Sequence, residues 1–387
     1  MARSDHIGSK QRYGLAAAIL CNAINAIGLS LALPLLSLTL ETRGASALMI
    51  GLIAAMSGVA TLIVSPFASL LIHRIGVSWS LIGSILVSAA SFVAFYFAEP
   101  LWLWFVLRFI NGAGLAVILV ASEFWINALV PAERRGLVTA LYAAVQSIGF
   151  LIGPVLLAMI GPKGLAPFAI GAALMVLAVF PALLGAGAAP VARASPHRRT
   201  VIAFLLATPI ATLAAFVFGA IEGGMNLLPV YGMHVGESET IAILLAAVVA
   251  LGNLALQVPI GRLSDKLDRR KVLIACALIA VAGALLMPIS AGNAWSFFAV
   301  LFVWGGVVAA LYSVGLALLV GSYTGSKLAG ANAAFVMLYS AGRLVGPPLV
   351  GAGVDLWNPH GFAVMMALFP VLYLAVAAVT WNFKRPR

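Results

Sequence analysis

Gly261-Arg-Leu-Ser-Asp-Lys-Leu-Asp-Arg-Arg-Lys271, GRLSDKLDRRK, carries seven charged residues in eleven, in a chain where charged residues are only 9% of the whole. The runs on either side, 240–260 and 272–290, carry no charge at all. Each is about as long as a helix needs to cross a hydrocarbon core of roughly 30 Å. A tight charged connector between two such runs places the charge in water and the runs in lipid.

The same pattern covers the chain. Hydrophobic residues make up 63% of it, and mean hydropathy is +1.13. Soluble domains are near half apolar and a quarter charged. Twelve spans are predicted, over 13–39, 49–72, 79–97, 101–127, 137–160, 165–186, 201–230, 240–261, 272–290, 295–320, 329–353 and 360–382. The expected fold class is an all-α membrane protein with the lipid bilayer as its solvent. The first apolar run exceeds a signal-peptide core and is expected to be kept as a span.

Twelve crossings return both termini to one face. Eighteen of the 22 Lys and Arg residues fall on that face: Arg3, Lys10, Arg12, Arg74, Arg134, Arg135, Arg193, Arg198, Arg199, Arg262, Lys266, Arg269, Arg270, Lys271, Lys327, Lys384, Arg385 and Arg387. Only Arg43 and Lys163 fall opposite, while Arg108 and Arg343 lie within spans. Basic loops stay inside, so both termini are expected in the cytoplasm of a multi-pass inner-membrane protein. The net charge of +11 follows from those loops, and no nucleic-acid partner is expected. Cys21 and Cys276 sit in separate apolar spans, and no structural disulfide is expected of them.

The polar connector 187–200, rich in Pro, Gly and Arg, divides the chain into six-span halves, 1–186 and 201–387. The halves read as copies at an offset of 193: Pro66 meets Pro259, and Gly149, Gly153 and Pro154 meet Gly342, Gly346 and Pro347. YAAVQSIGFLIGPVLL (142–157) overlays FVMLYSAGRLVGPPLV (335–350). Matched helices in two halves mark transporters built from repeats. Their prolines and glycines are expected to kink the helices, and small residues at such spacing to let helices approach closely.

On these residues the chain resembles the major facilitator superfamily. GRLSDKLDRRK is similar to that family's signature loop. Gly261, Leu263, Asp265, Lys266, Arg269 and Arg270 match it, and Asp268 stands where a second glycine is usual. The resemblance implies a fold of two pseudo-symmetric six-helix halves and a cytoplasmic conformational latch. In that latch Asp265 pairs with a basic neighbour and with the N-terminus of another helix. The first-half copy, PFASLLIHRIG (66–76), is degraded: Ile72 or His73 holds the aspartate position, and Arg74 and Gly76 survive. Arg108-Phe-Ile-Asn-Gly112 looks like a motif of the family's proton-coupled drug and metabolite transporters. Gly149-Phe-Leu-Ile-Gly153-Pro154 looks like the kinking motif of its antiporters. Span four and LQVPIGRLSD (256–265) resemble a poorly characterised bacterial branch of such transporters.

Charges inside spans are expensive, about 2.5–3.5 kcal/mol each on insertion scales, so Arg108, Glu123, Glu222 and Arg343 need reasons to be there. Arg108 and Glu222 each lie about 12 Å from the outer end of a helix rising ~1.5 Å per residue, and the family's architecture implies a central cavity that both could face. Glu222 reads as a proton carrier or cation anchor, or as a fixed ion pair with Arg108 or Arg343. Arg343 reads as a substrate contact or as the partner of Glu222. Glu123, near the cytoplasmic end of span four, reads as part of the gate, tied to Arg74 or to the N-terminus of span eleven, or as a proton carrier. Asn22 and Asn25, one turn apart on span one, and Asn226, one turn beyond Glu222, read as solute-binding amides or as interhelical hydrogen bonds. Gln146 and Tyr339, at matching repeat positions, are weaker candidates.

The expected function is secondary active transport of a small organic solute by alternating access, proton-coupled and in the direction of export, which the resemblances at Arg108 and Gly153-Pro154 imply for a lipophilic or cationic compound. The alternative is proton-linked import of an organic anion. The protein is expected to act as a monomer, without metal or cofactor. An enzyme is not expected, since HExxH, GxSxG and Walker-type segments are missing.

Overall fold

In the computed structural model, residues 9–130, 135–188, 208–321, 323 and 325–380 are described. Fourteen α-helices account for nearly all of them, with no strand among the described residues. They are α1 Ser9–Thr42, α2 Ala47–Ile75, α3 Val77–Phe97, α4 Leu101–Leu129, α5 Arg135–Ile160, α6 Ala166–Leu177, α7 Val179–Leu184, α8 Pro209–Gly224, α9 Leu228–His234, α10 Glu239–Lys266, α11 Arg269–Ser290, α12 Ala294–Val320, α13 Gly325–Leu356 and α14 Gly361–Thr380. Each of the twelve predicted spans falls on helix over its described residues, give or take a residue or two at the ends and two breaks, one at Ala178 between α6 and α7 and one described below. Ten of the stretches are long and apolar enough to cross a membrane; α5 contributes a shorter apolar run, Ala144–Ile160. The connector at 187–200 lies almost wholly outside the described residues.

Local chemistry explains the helix ends. Asn293 opens α12 by accepting from the Trp295 and Ser296 amides, and Ser238 opens α10 by accepting from Ile241. Such side chains supply acceptors to amides that lack an intrahelical partner. Gly76, at φ 84°, is the sole residue between α2 and α3; a left-handed turn that tight favours glycine. Prolines lie inside α1, α2, α5, α10, α11, α13 and α14. Phe97, Met159, Leu184 and Ile289 are 66–85% exposed. On membrane-spanning helices such exposed apolar side chains suit lipid, whose tails are as apolar as they are.

The chain divides into two compact units. The first comprises Met1–Ala32, Val59–Gly153 and Lys163–Pro196; the second comprises Leu33–Gly58, Pro154–Pro162 and His197–Arg387. In the first, α3 packs on α4 and α6 over a core containing Cys21, Leu81, Ile85, Ile118 and Trp125. In the second, α8 packs on α13 and α12, and α11 packs on α12 and α14.

The matched glycines make matched contacts in the two units. A Cβ on Gly149 would meet Ala23 and Ala26 of α1, and one on Gly153 would strike Ser30 and Ile27. Cβ atoms on Gly342 and Gly346 would strike the carbonyls of Phe216 and Ala220 on α8. Both pairs let backbones approach closely, as small-residue spacing in membranes does. Ser30 Oγ also donates to the Gly149 carbonyl at 3.0 Å.

Candidate functional site

The span predicted at 201–230 is not one continuous helix. α8 ends at Gly224, a 3-10 turn runs over Met225–Leu227, and α9 resumes at Leu228. Two adjacent glycines, Gly223 and Gly224, weaken the helix at that point. Glu222 sits immediately before the break. Asn226 Nδ2 donates to the Gly223 carbonyl at 2.6 Å, so this amide braces the break. Interrupted helices recur at transporter binding sites because the break frees polar backbone at mid-membrane depth.

Around Glu222 the second unit gathers a polar cluster. The Tyr339 hydroxyl donates a short hydrogen bond to Glu222 Oε2. Arg343 Nε lies 3.8 Å from the same oxygen, close enough for charge attraction but too long for a hydrogen bond. The guanidinium carbon also stands 5.8 Å from the Tyr339 ring centre, over its face. Arg343 and Glu222 side chains are 28% and 29% exposed. Tyr339 and Arg343 are one turn apart on α13, so they share a face.

Aromatic rings adjoin the charges. Phe218 of α8, one turn before Glu222, stacks on Tyr339 with centroids 5.8 Å apart at 16°. Tyr312 of α12 meets Phe218 at 5.3 Å and Tyr339 at 5.3 Å. Phe335, fully buried, backs Tyr312 at 5.1 Å. Sequence reasoning missed this assembly, because the rings come from three helices with unremarkable aromatic content. The one available signal was the position of Tyr339, four residues before Arg343.

The other predicted residues lie elsewhere. Arg108, on α4 in the first unit, is 3% exposed. Asn22 and Asn25 on α1 are buried too, and Asn22 Nδ2 and Asn25 Oδ1 have no hydrogen-bond partner among the described residues. Glu123 is exposed on α4. No ion pair joins it to Arg74 among the described residues. Arg74 edges an apolar cleft of 260 Å³ lined by Val64, Phe67, Ala68, Leu70, Leu71 and Val117. In the first-half loop Ile72 is a core residue and His73 is exposed.

At the second-half loop, Asp265 is 71% exposed and pairs with Arg269 at 3.2 Å. Arg269 also donates to the Ala317 carbonyl at 2.7 Å, binding the loop to the end of α12. Gly261 is open, with nothing near its Cα that a side chain would strike. Lys266 ends α10 and is exposed; Arg270 is half-buried in the first turn of α11. Asp268, the departure from the signature, accepts from the Arg270 amide at 2.9 Å and caps α11.

A second set of ties binds the opposite helix ends within the second unit. Asp355, near the end of α13, accepts from the Ala47 and Leu48 amides at 2.9 Å each. These are the first amides of α2, where a carboxylate is favoured by the helix dipole. Glu41 and His234 meet at 2.6 Å alongside. Cβ atoms on Gly51 and Gly351 would strike the Pro347 and Ala47 carbonyls, so α2 and α13 are in close backbone contact there.

The Major Facilitator Superfamily model matches residues 18–247 and 211–387. The chain belongs to that superfamily. It is 27% identical to the uncharacterized MFS-type transporter YfkF of Bacillus subtilis over 346 residues, 85% of each chain. It is 27% identical to the uncharacterized MFS-type transporter YcaD of Salmonella over 334 residues, 84% of this chain and 85% of that one. Among solved structures, a point mutant of the nucleoside transporter NupG superposes with a TM-score of 0.79 at 15% identity, covering 96% of this chain and all of that one. A bacterial homolog of the human lysosomal transporter Spinster, inward-facing, gives 0.73 at 15% identity over 96% of both chains. These likenesses establish the fold and a multi-pass membrane transporter.

Proposed function

We propose that the chain is a proton-coupled secondary transporter of the bacterial inner membrane, with cytoplasmic termini, and that its solute is a small organic anion. The observation that carries this is Glu222 held between Tyr339 and a loosely paired Arg343 beside a helix break. Of the two directions open at the sequence, export of a lipophilic or cationic compound and proton-linked import of an anion, this geometry favours the second. A cationic solute would meet a carboxylate already engaged by a hydroxyl and a guanidinium. An anion would meet a guanidinium whose contacts among the described residues, to Glu222 and Tyr339, leave some of its five donors over.

The coupling follows from charge. Two carboxylates about 4 Å apart repel by about 4 kcal/mol at an effective dielectric of ~20. A proton on Glu222 removes that repulsion and releases Arg343 to the solute. Solute and proton therefore favour each other's binding, and such coupling is reciprocal. Rocking of the two six-helix halves, 1–186 and 201–387, would carry both across, with the Asp265 loop latching one state.

Sulfonates test this in proteoliposomes, because they stay ionised and any proton that travels with them is carried by the protein. Imposing an acid exterior is expected to drive accumulation of labelled benzenesulfonate. Glu222→Gln is expected to keep solute exchange while losing at least tenfold of the gradient-driven accumulation. Gradient-driven movement of a cationic dye in place of the sulfonate would overturn the reading in favour of export.

A further inference from the structure

Resting on that reading of Glu222 and Arg343, we infer that the transported anion is aromatic: a flat ring bearing a carboxylate or similar group. The anionic group docks on the Arg343 guanidinium, and the ring lies against the rings of Tyr339, Phe218 and Tyr312.

The three rings come from α13, α8 and α12, and all three are half-buried. Behind them, Phe335 is fully buried and belongs with Ala211, Ala215, Leu319 and Ala331 to the apolar core. The assembly therefore has a solid back and a partly open front. That front lies at mid-depth beside Arg343 and Glu222. Charges there avoid acyl chains, so the open front faces the solute's path rather than lipid.

The rings touch one another, with centroids 5.3–5.8 Å apart, so no slot separates them. A solute ring adds to the front of the assembly by offset stacking or edge contact, arrangements that aromatic pairs prefer. Arg343, already over the Tyr339 face, links the two halves of the recognition. It grips the anion with its N–H edge and keeps its plane beside the ring system, a combination guanidinium offers and ammonium does not.

Benzenesulfonate and cyclohexanesulfonate separate this inference from simple hydrophobic binding. They match in carbon count and charge, and the saturated ring is the more hydrophobic. In proteoliposome counterflow, benzenesulfonate is expected to compete about fivefold more strongly, from aromatic pairing. Phe218→Leu and Tyr312→Leu are each expected to bring the two competitors to parity, and Phe218→Tyr to restore the preference. Equal competition in the unaltered protein overturns the aromatic assignment while leaving anion transport standing. A preference that survives both leucine variants overturns it as well. If neither sulfonate competes or moves, the anion reading itself fails.

Discussion

Tyr339 presents its hydroxyl to Glu222 and its ring to Phe218. Tyr339→Phe removes only the first. It leaves a partly buried carboxylate short of a donor, a loss of about 1–3 kcal/mol where the group goes unsatisfied. Gradient-driven accumulation is expected to fall about tenfold by the same conversion, while the ratio of benzenesulfonate to cyclohexanesulfonate affinity stays unchanged. Loss of that ratio in the phenylalanine variant would show that hydroxyl and ring do not act separately. Glu222 and Arg343 were legible in the sequence because ionised groups inside spans always need a partner. Tyr339 was less legible, since its decisive contact is to a residue 117 positions away and a tyrosine in a span is commonplace. Asp268 was legible only as a departure from a signature. Its cap on α11 gives that departure a use.

Helix contacts repeat what the offset of 193 suggested. Gly149 and Gly153 seat α5 on α1, and Gly342 and Gly346 seat α13 on α8. The sequence marked these positions as kinks and as small residues that let helices approach; the structure adds the partners, α1 for the first pair and α8 for the second. Gly346→Ala would drive a methyl group into the Ala220 carbonyl. Overpacking of this kind typically costs about 1–3 kcal/mol, and the variant is expected to show a lower thermal midpoint in detergent. Gly261→Ala, with open space around it, is the control expected not to lower the midpoint, since alanine favours the helix over glycine. The break at Gly223–Gly224 escaped the sequence reading, which saw one long apolar run. Hydrophobicity reports that a segment lies in lipid; whether its helix is continuous depends on how neighbours satisfy the freed backbone.

At the scale of the molecule, twelve spans and a charge bias were readable because lipid imposes both directly. The ties at the end opposite the basic loops were not, since Glu41, His234 and Asp355 look like ordinary loop charges. Asp355 is expected to hold the start of α2. Asp355→Asn keeps the side chain's shape and loses its charge, a change of about 0.3–1 kcal/mol at a helix N-terminus. Amide hydrogen exchange at Ala47 and Leu48 is expected to speed up by about two- to fivefold. Unchanged exchange would show that the carboxylate is incidental. Finally, on the proposed function Tyr339 would join the ring assembly and the proton site in one side chain. Evolution toward a new cargo at this position would disturb the energy source along with the menu. Drift in specificity is therefore expected to run through Phe218 and Tyr312, with the tyrosine held as a common axle.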